Sequence, residues 1–94
     1  MPYASSPCPP TSPWGRPDHA QQLAPGIWSV STSSHGGIHL SGERNAAVPP
    51  AIRAENCFYE EDCCWSYVAA VHPDAFSTAQ LDLAMRTLLD WEPA

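Results

Sequence analysis

Two histidines four residues apart are the first side chains in the sequence that could bind a metal ion. His35 and His39 flank the pair Gly36–Gly37. On a helix such spacing places two imidazoles on one face, as in many zinc sites, but paired glycines favour a turn instead. A metal would also need a third ligand from a carboxylate elsewhere. We therefore expect no metal or cofactor and interpret His35 as a turn residue, with a small metal-dependent hydrolase as the alternative.

Three consecutive carboxylates form the second candidate site. Glu60, Glu61 and Asp62 follow Tyr59 and precede Cys63. Such a cluster can supply an acid–base pair or part of a metal shell, which is how it would serve the alternative hydrolase. On a helix, however, successive residues point in different directions. The cluster fits the start of a predicted helix over residues 59–72, where the helix macrodipole favours negative charge.

The four cysteines offer a third option, a thiol nucleophile. Cys63 with His35 has the right residue types, but the spacing matches no local signature and no oxyanion-hole donor is evident. Cys63 and Cys64 are adjacent and cannot face the same side of an element. We therefore interpret the cysteines as reduced, partly buried thiols.

Charge argues against direct nucleic-acid binding and for a basic protein partner. The 94 residues contain no lysine, four arginines and ten acidic residues, for a net charge of −6. Residues 1–54 sum to +1 and residues 55–94 to −7. A row of carboxylates can occupy a basic groove meant for nucleic acid, although a merely solvated acidic surface is the simpler interpretation. The residues expected to contact a partner are Glu60, Glu61, Asp62, Tyr59, Tyr67, Asp82 and Asp90.

The elements that would position these residues begin after a proline-rich segment. Seven of the eleven prolines lie in residues 1–26, so we expect loops there, with residues 1–12 as a flexible tail and residues 13–94 as one domain. Trp14 is expected to anchor the segment on the core. Residues 27–41 alternate as a β-hairpin with its turn at Gly36–Gly37, and Trp28 and Val30 facing inward.

Two helices are predicted to follow the hairpin. After the helix over residues 59–72, a second begins at Ser77, which forms a capping box with Gln80. An apolar stripe then includes Leu81, Ala84 and Met85, while Asp82 and Arg86 form an ion pair at i, i+4. A small antiparallel sheet packed against two C-terminal helices is an α+β fold.

Neither a membrane span nor a secretory signal is expected. No run reaches the roughly 18 apolar residues that a spanning helix needs. The first 15 residues have no positive charge and no apolar block, so we expect a cytoplasmic protein.

Several short segments, taken in order, resemble an uncharacterised domain found in proteins of proteobacterial plasmids and phages. The likeness runs from about residue 13 to residue 76, and its most specific part is the S-H-G-G loop followed by Y-E-E-D and a tryptophan. It implies a mobile-element setting and no established activity. The segments that carry it are Pro13-Trp14-Gly15, Asp18-His19-Ala20, Pro25-Gly26-Ile27, Ser33 to Ser41, Arg44-Asn45 and Tyr59 to Trp65.

A small acidic protein in that setting is similar in character to anti-CRISPR and antirestriction proteins. By this analogy we expect a phage or plasmid inhibitor that evades host defence, without catalysis, by covering the basic nucleic-acid-binding surface of a CRISPR effector or restriction complex. One alternative is a small metal-dependent hydrolase or metal-binding domain that uses His35, His39 and the carboxylates of residues 60–62. The other is an accessory interaction module with no inhibitory role.

Overall fold

The structure, a computed structural model, describes residues 3–61 and 64–91, including side chains up to residue 87. Its described part contains a four-stranded antiparallel sheet and three α-helices, which confirms the predicted α+β class. The elements in chain order are β1 (His19–Ala24), β2 (Ile27–Ser31), β3 (Gly36–Leu40), α1 (Gly42–Ala46), β4 (Phe58–Glu60), α2 (Trp65–Val71), a 3₁₀ turn (Pro73–Ala75) and α3 (Thr78–Trp91).

The sheet is a meander in which each strand pairs with the next along the chain. Its order is β1-β2-β3-β4. Strand β1 lies where the proline content predicted a loop, so that prediction is wrong for residues 19–24. None of those residues is proline, and they pair with β2 from His19↔Ser31 to Ala24↔Ile27 around the Pro25–Gly26 turn.

The β2–β3 hairpin is confirmed, but its turn lies before the two glycines. The Thr32 hydroxyl accepts hydrogen bonds from the backbone N–H groups of Ser34 and His35, at 3.3 and 3.1 Å, and donates to the His35 carbonyl at 2.8 Å. A hydroxyl that satisfies backbone groups in this way stabilises a turn without glycine. Gly36 and Gly37 therefore belong to β3, opposite Ser31 and Val30.

The predicted helix over residues 59–72 is wrong in its first half. Residues Phe58–Glu60 form β4, and helix α2 begins only at Trp65. Tyr59 pairs with Ile38, so the backbone of this segment obtains its hydrogen bonds from a neighbouring strand. Glu60 and Glu61 thus do not begin a helix.

One face of the sheet forms the main core with the helices. Helix α2 packs on β3 and β4, and α3 packs on α2. Alternation along each strand directs every second side chain to this face. The buried apolar residues of the core cluster are Ile27, Ile38, Leu40, Val48, Tyr59 and Val68.

The opposite face is covered by the N-terminal segment. The Trp14 ring meets Phe58 edge to face, with centroids 5.7 Å apart, and the Trp28 indole donates to the Ser6 carbonyl at 2.9 Å. Trp14 therefore anchors the segment, as expected, while the mobility of residues 1–12 stays a prediction. Trp28 and Val30 lie on this face, not toward the helices. Because both faces are covered, alternation alone could not identify the helix side.

Helix α3 begins as the sequence predicts. Ser77 N–H donates to Gln80 Oε1 at 2.8 Å, and Gln80 N–H donates to Ser77 Oγ at 3.2 Å. Asp82 and Arg86 form the expected ion pair at 3.1 Å. Ala84 is buried, but Met85 is 64% exposed. Within the described residues, no helix is both long and apolar enough to cross a bilayer.

Candidate functional site

A cleft of about 470 Å³ lies between the helix-facing side of the sheet and parts of α2 and α3. We call it the interlayer cleft. Its volume falls in the range of small-ligand and side-chain pockets, about 300–1,000 Å³. Its walls combine polar and apolar side chains. The polar ones are Gln21, Ser29, Ser31, Glu61 and Gln80, and the apolar ones include Leu23, Ile38, Trp65, Phe76 and Leu83.

Glu61 supplies the carboxylate of the cleft, and its neighbour Gly36 makes room for it. The Glu61 N–H donates to the Gly36 carbonyl at 3.0 Å, which extends the β3–β4 pairing by one residue. A Cβ at Gly36 would lie 2.9 Å from Glu61 Oε2. Any larger residue at that position would displace the carboxylate. The glycine that sequence reasoning placed in a turn thus positions an acidic side chain.

The acidic cluster is divided by the sheet. Since successive strand residues point to opposite faces, Glu60 lies on the face covered by the N-terminal segment, whereas Tyr59 lies toward the helices. Glu61 lies toward the helices again and lines the interlayer cleft. Asp62 falls outside the described residues. Glu60 and Glu61, although consecutive, therefore lie on opposite faces of the sheet.

Two aromatic rings and two hydroxyls complete the interlayer cleft. Trp65, at the start of α2, and Phe76, after the 3₁₀ turn, have ring centroids 6.0 Å apart and are tilted to each other. Ser29 and Ser31, on β2, are half-buried. Neither hydroxyl has a hydrogen-bond partner among the residues described. The two hydroxyls are therefore available for hydrogen bonds to an occupant of the cleft.

Tyr59 is a core residue and not a surface anchor, which corrects the prediction for it. It is 1% exposed. Its hydroxyl donates to Asn45 Oδ1 and accepts from the Ala54 N–H at 3.0 Å, while Asn45 Nδ2 donates to the Ala54 carbonyl at 2.8 Å. Burial raises the pKa of the Tyr59 phenol. Tyr67, the other expected anchor, is half-buried.

Asp82, another residue of the predicted partner surface, is not among the residues that line the interlayer cleft. Asp82 is exposed on α3 and already paired with Arg86. The side chain of Asp90 falls outside the described residues. The prediction of an acidic face formed by two helices is therefore wrong for Glu60 and Glu61, which do not lie on a helix.

Within the described residues, the two histidines and Glu61 do not converge on a metal site. His35 is exposed at the β2–β3 turn, and His39 lies on the face opposite to Glu61, against the Phe58 ring at 4.7 Å between centroids. Burial lowers the pKa of His39, and its Nδ1 is buried with no hydrogen-bond partner. Among residues 3–61 and 64–87, no three His, Cys, Asp or Glu side chains are placed to hold a metal ion.

Two of the described cysteines differ in their exposure. Cys8 is exposed and Cys57 is half-buried. Burial raises the pKa of the Cys57 thiol, which opposes thiolate formation. Cys63, the candidate nucleophile, falls outside the described residues.

A buried arginine–histidine pair is the largest polar feature that sequence reasoning missed. Arg44 is 2% exposed, and its Nε donates to the Pro25 carbonyl at 2.8 Å. Its Nη1 lies 3.1 Å from His72 Nδ1, which must accept because a guanidinium only donates. His72 Nε2–H therefore donates to the Arg44 carbonyl, at 3.0 Å. The Tyr3 ring lies 4.0 Å below the guanidinium carbon.

This pair ties α1 to the start of the 3₁₀ turn and to the N-terminal segment. Burial lowers the pKa of His72, and the charge of Arg44 lowers it further. The bond to the Arg44 carbonyl and the carboxylate of Asp74 oppose that effect. His72 is thus neutral near pH 7. The pair joins residues 28 positions apart, so sequence spacing carries no signal of it.

Comparison with known proteins supports the predicted resemblance at the level of an uncharacterised domain. Neither the curated proteins nor the solved structures give a significant match to the chain. A family model described as a domain of unknown function matches residues 7–94 and so includes the N-terminal segment, the sheet and all three helices. Because the match spans nearly the whole sequence, the chain belongs to this family, DUF7007.

Proposed function

We propose that this chain is a non-enzymatic inhibitor that binds the basic nucleic-acid-binding surface of a host effector complex, such as a CRISPR effector or a restriction complex. The observation that carries the proposal is the unequal exposure of charge. Arg44 is buried and Arg86 is paired with Asp82, while Asp18, Glu60 and Glu61 have no cationic partner among the described residues. Among the described residues, carboxylates outside the two ion pairs therefore outnumber arginines outside them, in line with the net charge of −6.

The four arginines differ in their partners, and all except Arg44 are exposed. Arg44 is buried against His72 and forms an ion pair with Asp74 at 3.8 Å. Arg53 donates to the carbonyls of Val48 and Ala46, at 2.9 and 3.0 Å. Arg86 is exposed but neutralised by Asp82. Arg16 is exposed, and the structure gives it no acidic partner among the residues described.

Carboxylates gather at one end of the sheet, which we call the acidic end and define by Asp18, Glu60 and Glu61. The Asp18 N–H donates to the Ser31 carbonyl at 2.8 Å, Ser31 pairs with Gly36, and Gly36 bonds to Glu61. Asp18, Glu60 and Glu61 thus lie at the same end of the sheet, where negative charge accumulates. Such a patch attracts a basic partner over a distance and steers its approach.

The mobile-element setting that the sequence resemblance implies is in keeping with an inhibitory role. The resemblance in sequence implies proteins of proteobacterial plasmids and phages, and inhibitors of host defence from such elements are often small and acidic. Family membership adds no activity to this argument. The proposal therefore rests on charge, size and setting together, and its partner is a host complex in the cytoplasm.

The test is recovery of a host complex by the tagged protein, followed by an inhibition assay. The recovered complex is expected to lose nucleic-acid binding when the protein is added. The interaction should weaken as salt rises, because the Debye length falls from about 10 Å at 0.1 M to about 3 Å at 1 M. A complex that is bound but keeps full nucleic-acid binding would contradict the proposal and favour an accessory interaction module.

A matched pair of double variants tests whether the acidic end is the contact. Glu60→Gln with Glu61→Gln is expected to weaken binding about tenfold, since an exposed charge pair contributes up to about 1 kcal/mol. Glu43→Gln with Glu55→Gln removes the same charge near the other end of β3 and should leave affinity within about twofold. Equal losses in both variants would show that the charge acts without a defined contact.

A further inference from the structure

We infer that the interlayer cleft is a subsite for one arginine side chain of the partner. This inference rests on the proposed function for the identity of the partner, and it adds which residue type is recognised and where. The cleft combines one carboxylate, two aromatic rings and free hydroxyls in a volume of about 470 Å³. Each of these groups interacts favourably with a guanidinium.

The carboxylate of Glu61 is the main determinant. Its backbone N–H is fixed to Gly36, and the missing side chain of Gly36 leaves space for the carboxylate against β3. Within the described part of the chain, no arginine neutralises it. A guanidinium can donate two parallel hydrogen bonds to a carboxylate, and such charge-assisted pairs are about twice as strong as neutral ones.

The rings of Trp65 and Phe76 provide a second interaction that a guanidinium satisfies. Both side chains line the same cleft as Glu61, and their centroids lie 6.0 Å apart. A planar guanidinium stacks on aromatic faces, with tryptophan the strongest partner. The pair of rings therefore favours arginine over lysine, whose compact ammonium makes poorer stacking contacts.

The hydroxyls and the apolar wall of the cleft can contact the remaining N–H donors and the methylene groups of an arginine side chain. A guanidinium has five N–H donors, of which a carboxylate takes two. Ser29 and Ser31 offer acceptors with no competing partner among the residues described. The methylene stem of an arginine can lie along Leu23 and Leu83, as such stems commonly do on apolar surface.

Other occupants fit the interlayer cleft less well. An anion would meet the negative charge of Glu61 directly. An uncharged apolar ligand would cover that carboxylate without compensating its lost hydration, which is costly. A cation fits best, because it can pair with the Glu61 carboxylate and also bind to the faces of the aromatic rings.

The test uses a capped Gly-Arg-Gly peptide on the intact protein, with a Gly-citrulline-Gly peptide as its uncharged control. Binding is followed by NMR through the indole N–H of Trp65, which Trp65→Phe identifies. The arginine peptide is expected to shift this resonance, and the citrulline peptide is expected to leave it in place. Absence of any shift at about 10 mM arginine peptide, ten times the concentration for a weak Kd of about 1 mM, would overturn the inference.

Two neighbouring variants separate the subsite from general attraction. Glu61→Gln should weaken peptide binding about tenfold, as expected for loss of a charge-assisted hydrogen bond. Glu60→Gln removes the same charge one residue away, on the opposite face of the sheet, and should change affinity by less than about twofold. Equal losses would overturn the inference. Thermal melts of both variants establish that they are folded.

The same variants distinguish this inference from the proposed function. If a host complex binds Glu61→Gln and Glu60→Gln equally well, the arginine subsite is wrong while the inhibitor proposal stands. If the peptide binds in a Glu61-dependent manner but no host complex is inhibited, the subsite stands and the inhibitor proposal is wrong.

Discussion

Removing the hydroxyl of Tyr59 should destabilise the fold far more than removing the hydroxyl of Tyr67. In Tyr59→Phe the bond to Asn45 Oδ1 and the bond from the Ala54 N–H are both lost. Asn45 is 6% exposed, so water cannot easily replace the phenol. A buried polar group left without a partner costs about 1–3 kcal/mol, so we expect the free energy of unfolding to fall by about 2–4 kcal/mol.

That loss is a large part of the total stability of a domain this small, roughly 5–15 kcal/mol. The melting temperature of a 60–100-residue domain falls by about 4–8 °C per kcal/mol, which predicts a decrease of about 10–30 °C. Urea unfolding followed by tryptophan fluorescence measures the free energy, and circular dichroism gives the melting temperature. The four tryptophans of the chain make the fluorescence change large enough to follow.

Tyr67→Phe is the matched control. It removes the same atom from a half-buried tyrosine whose hydroxyl has no partner among the residues described. Its free energy of unfolding should stay within about 0.5 kcal/mol of the wild-type value. If the two variants lose equal stability, the buried network around Tyr59 does not stabilise the fold as argued.

Three further predictions concern pH, packing and capping. Burial lowers the pKa of His72 and of His39, so the unfolded chain, with histidine pKa values near 6.5, binds protons more tightly than the folded one. The stability present above pH 6.5 should therefore fall as the pH drops through the lowered pKa values of the folded state. The midpoint of urea unfolding is expected to be lower at pH 5 than at pH 7.5, and His72→Gln should reduce that difference. Equal midpoints for the wild type at the two pH values would contradict this prediction. Gly37→Ala should lower the free energy of unfolding in urea by about 1–3 kcal/mol, because its Cβ would clash with the backbone of β4. In Gly42→Ala the added Cβ has no atom within 4 Å, so no measurable loss is expected. Similar losses in the two variants would refute the packing argument. Ser77→Ala removes the side-chain cap of α3 and should lower the free energy of unfolding by about 0.5–2 kcal/mol, seen as a lower melting temperature. An unchanged melting temperature would show that the cap is dispensable.

Three features that depend on neighbours in the chain were predicted correctly. The start of α3 follows from Ser77 and Gln80, whose mutual hydrogen bonds span three residues. The ion pair of Asp82 and Arg86 spans one helical turn. Alternating residues likewise predicted the β2–β3 hairpin. In each case the interacting groups are close enough along the chain for spacing to fix their geometry.

Features that depend on distant partners were not predictable in this way. The segment around Tyr59 has charges suited to a helix start, but pairing with Ile38 on β3 makes it a strand. Strand β1 forms although prolines surround it, because β2 offers a partner. Local preference is a matter of tenths of a kcal/mol per residue, and burial of a tyrosine outweighs it.

The acidic character of the protein, its α+β class and its lack of a lysine-rich binding surface follow from composition and local pattern, because charges and periodicities add along the chain. The separation of Glu60 from Glu61, the burial of Tyr59 and the pairing of Arg44 with His72 depend on which strands meet and which faces are covered. Those contacts join residues far apart in sequence. Their energies therefore arise only when the sheet closes against the helices and the N-terminal segment.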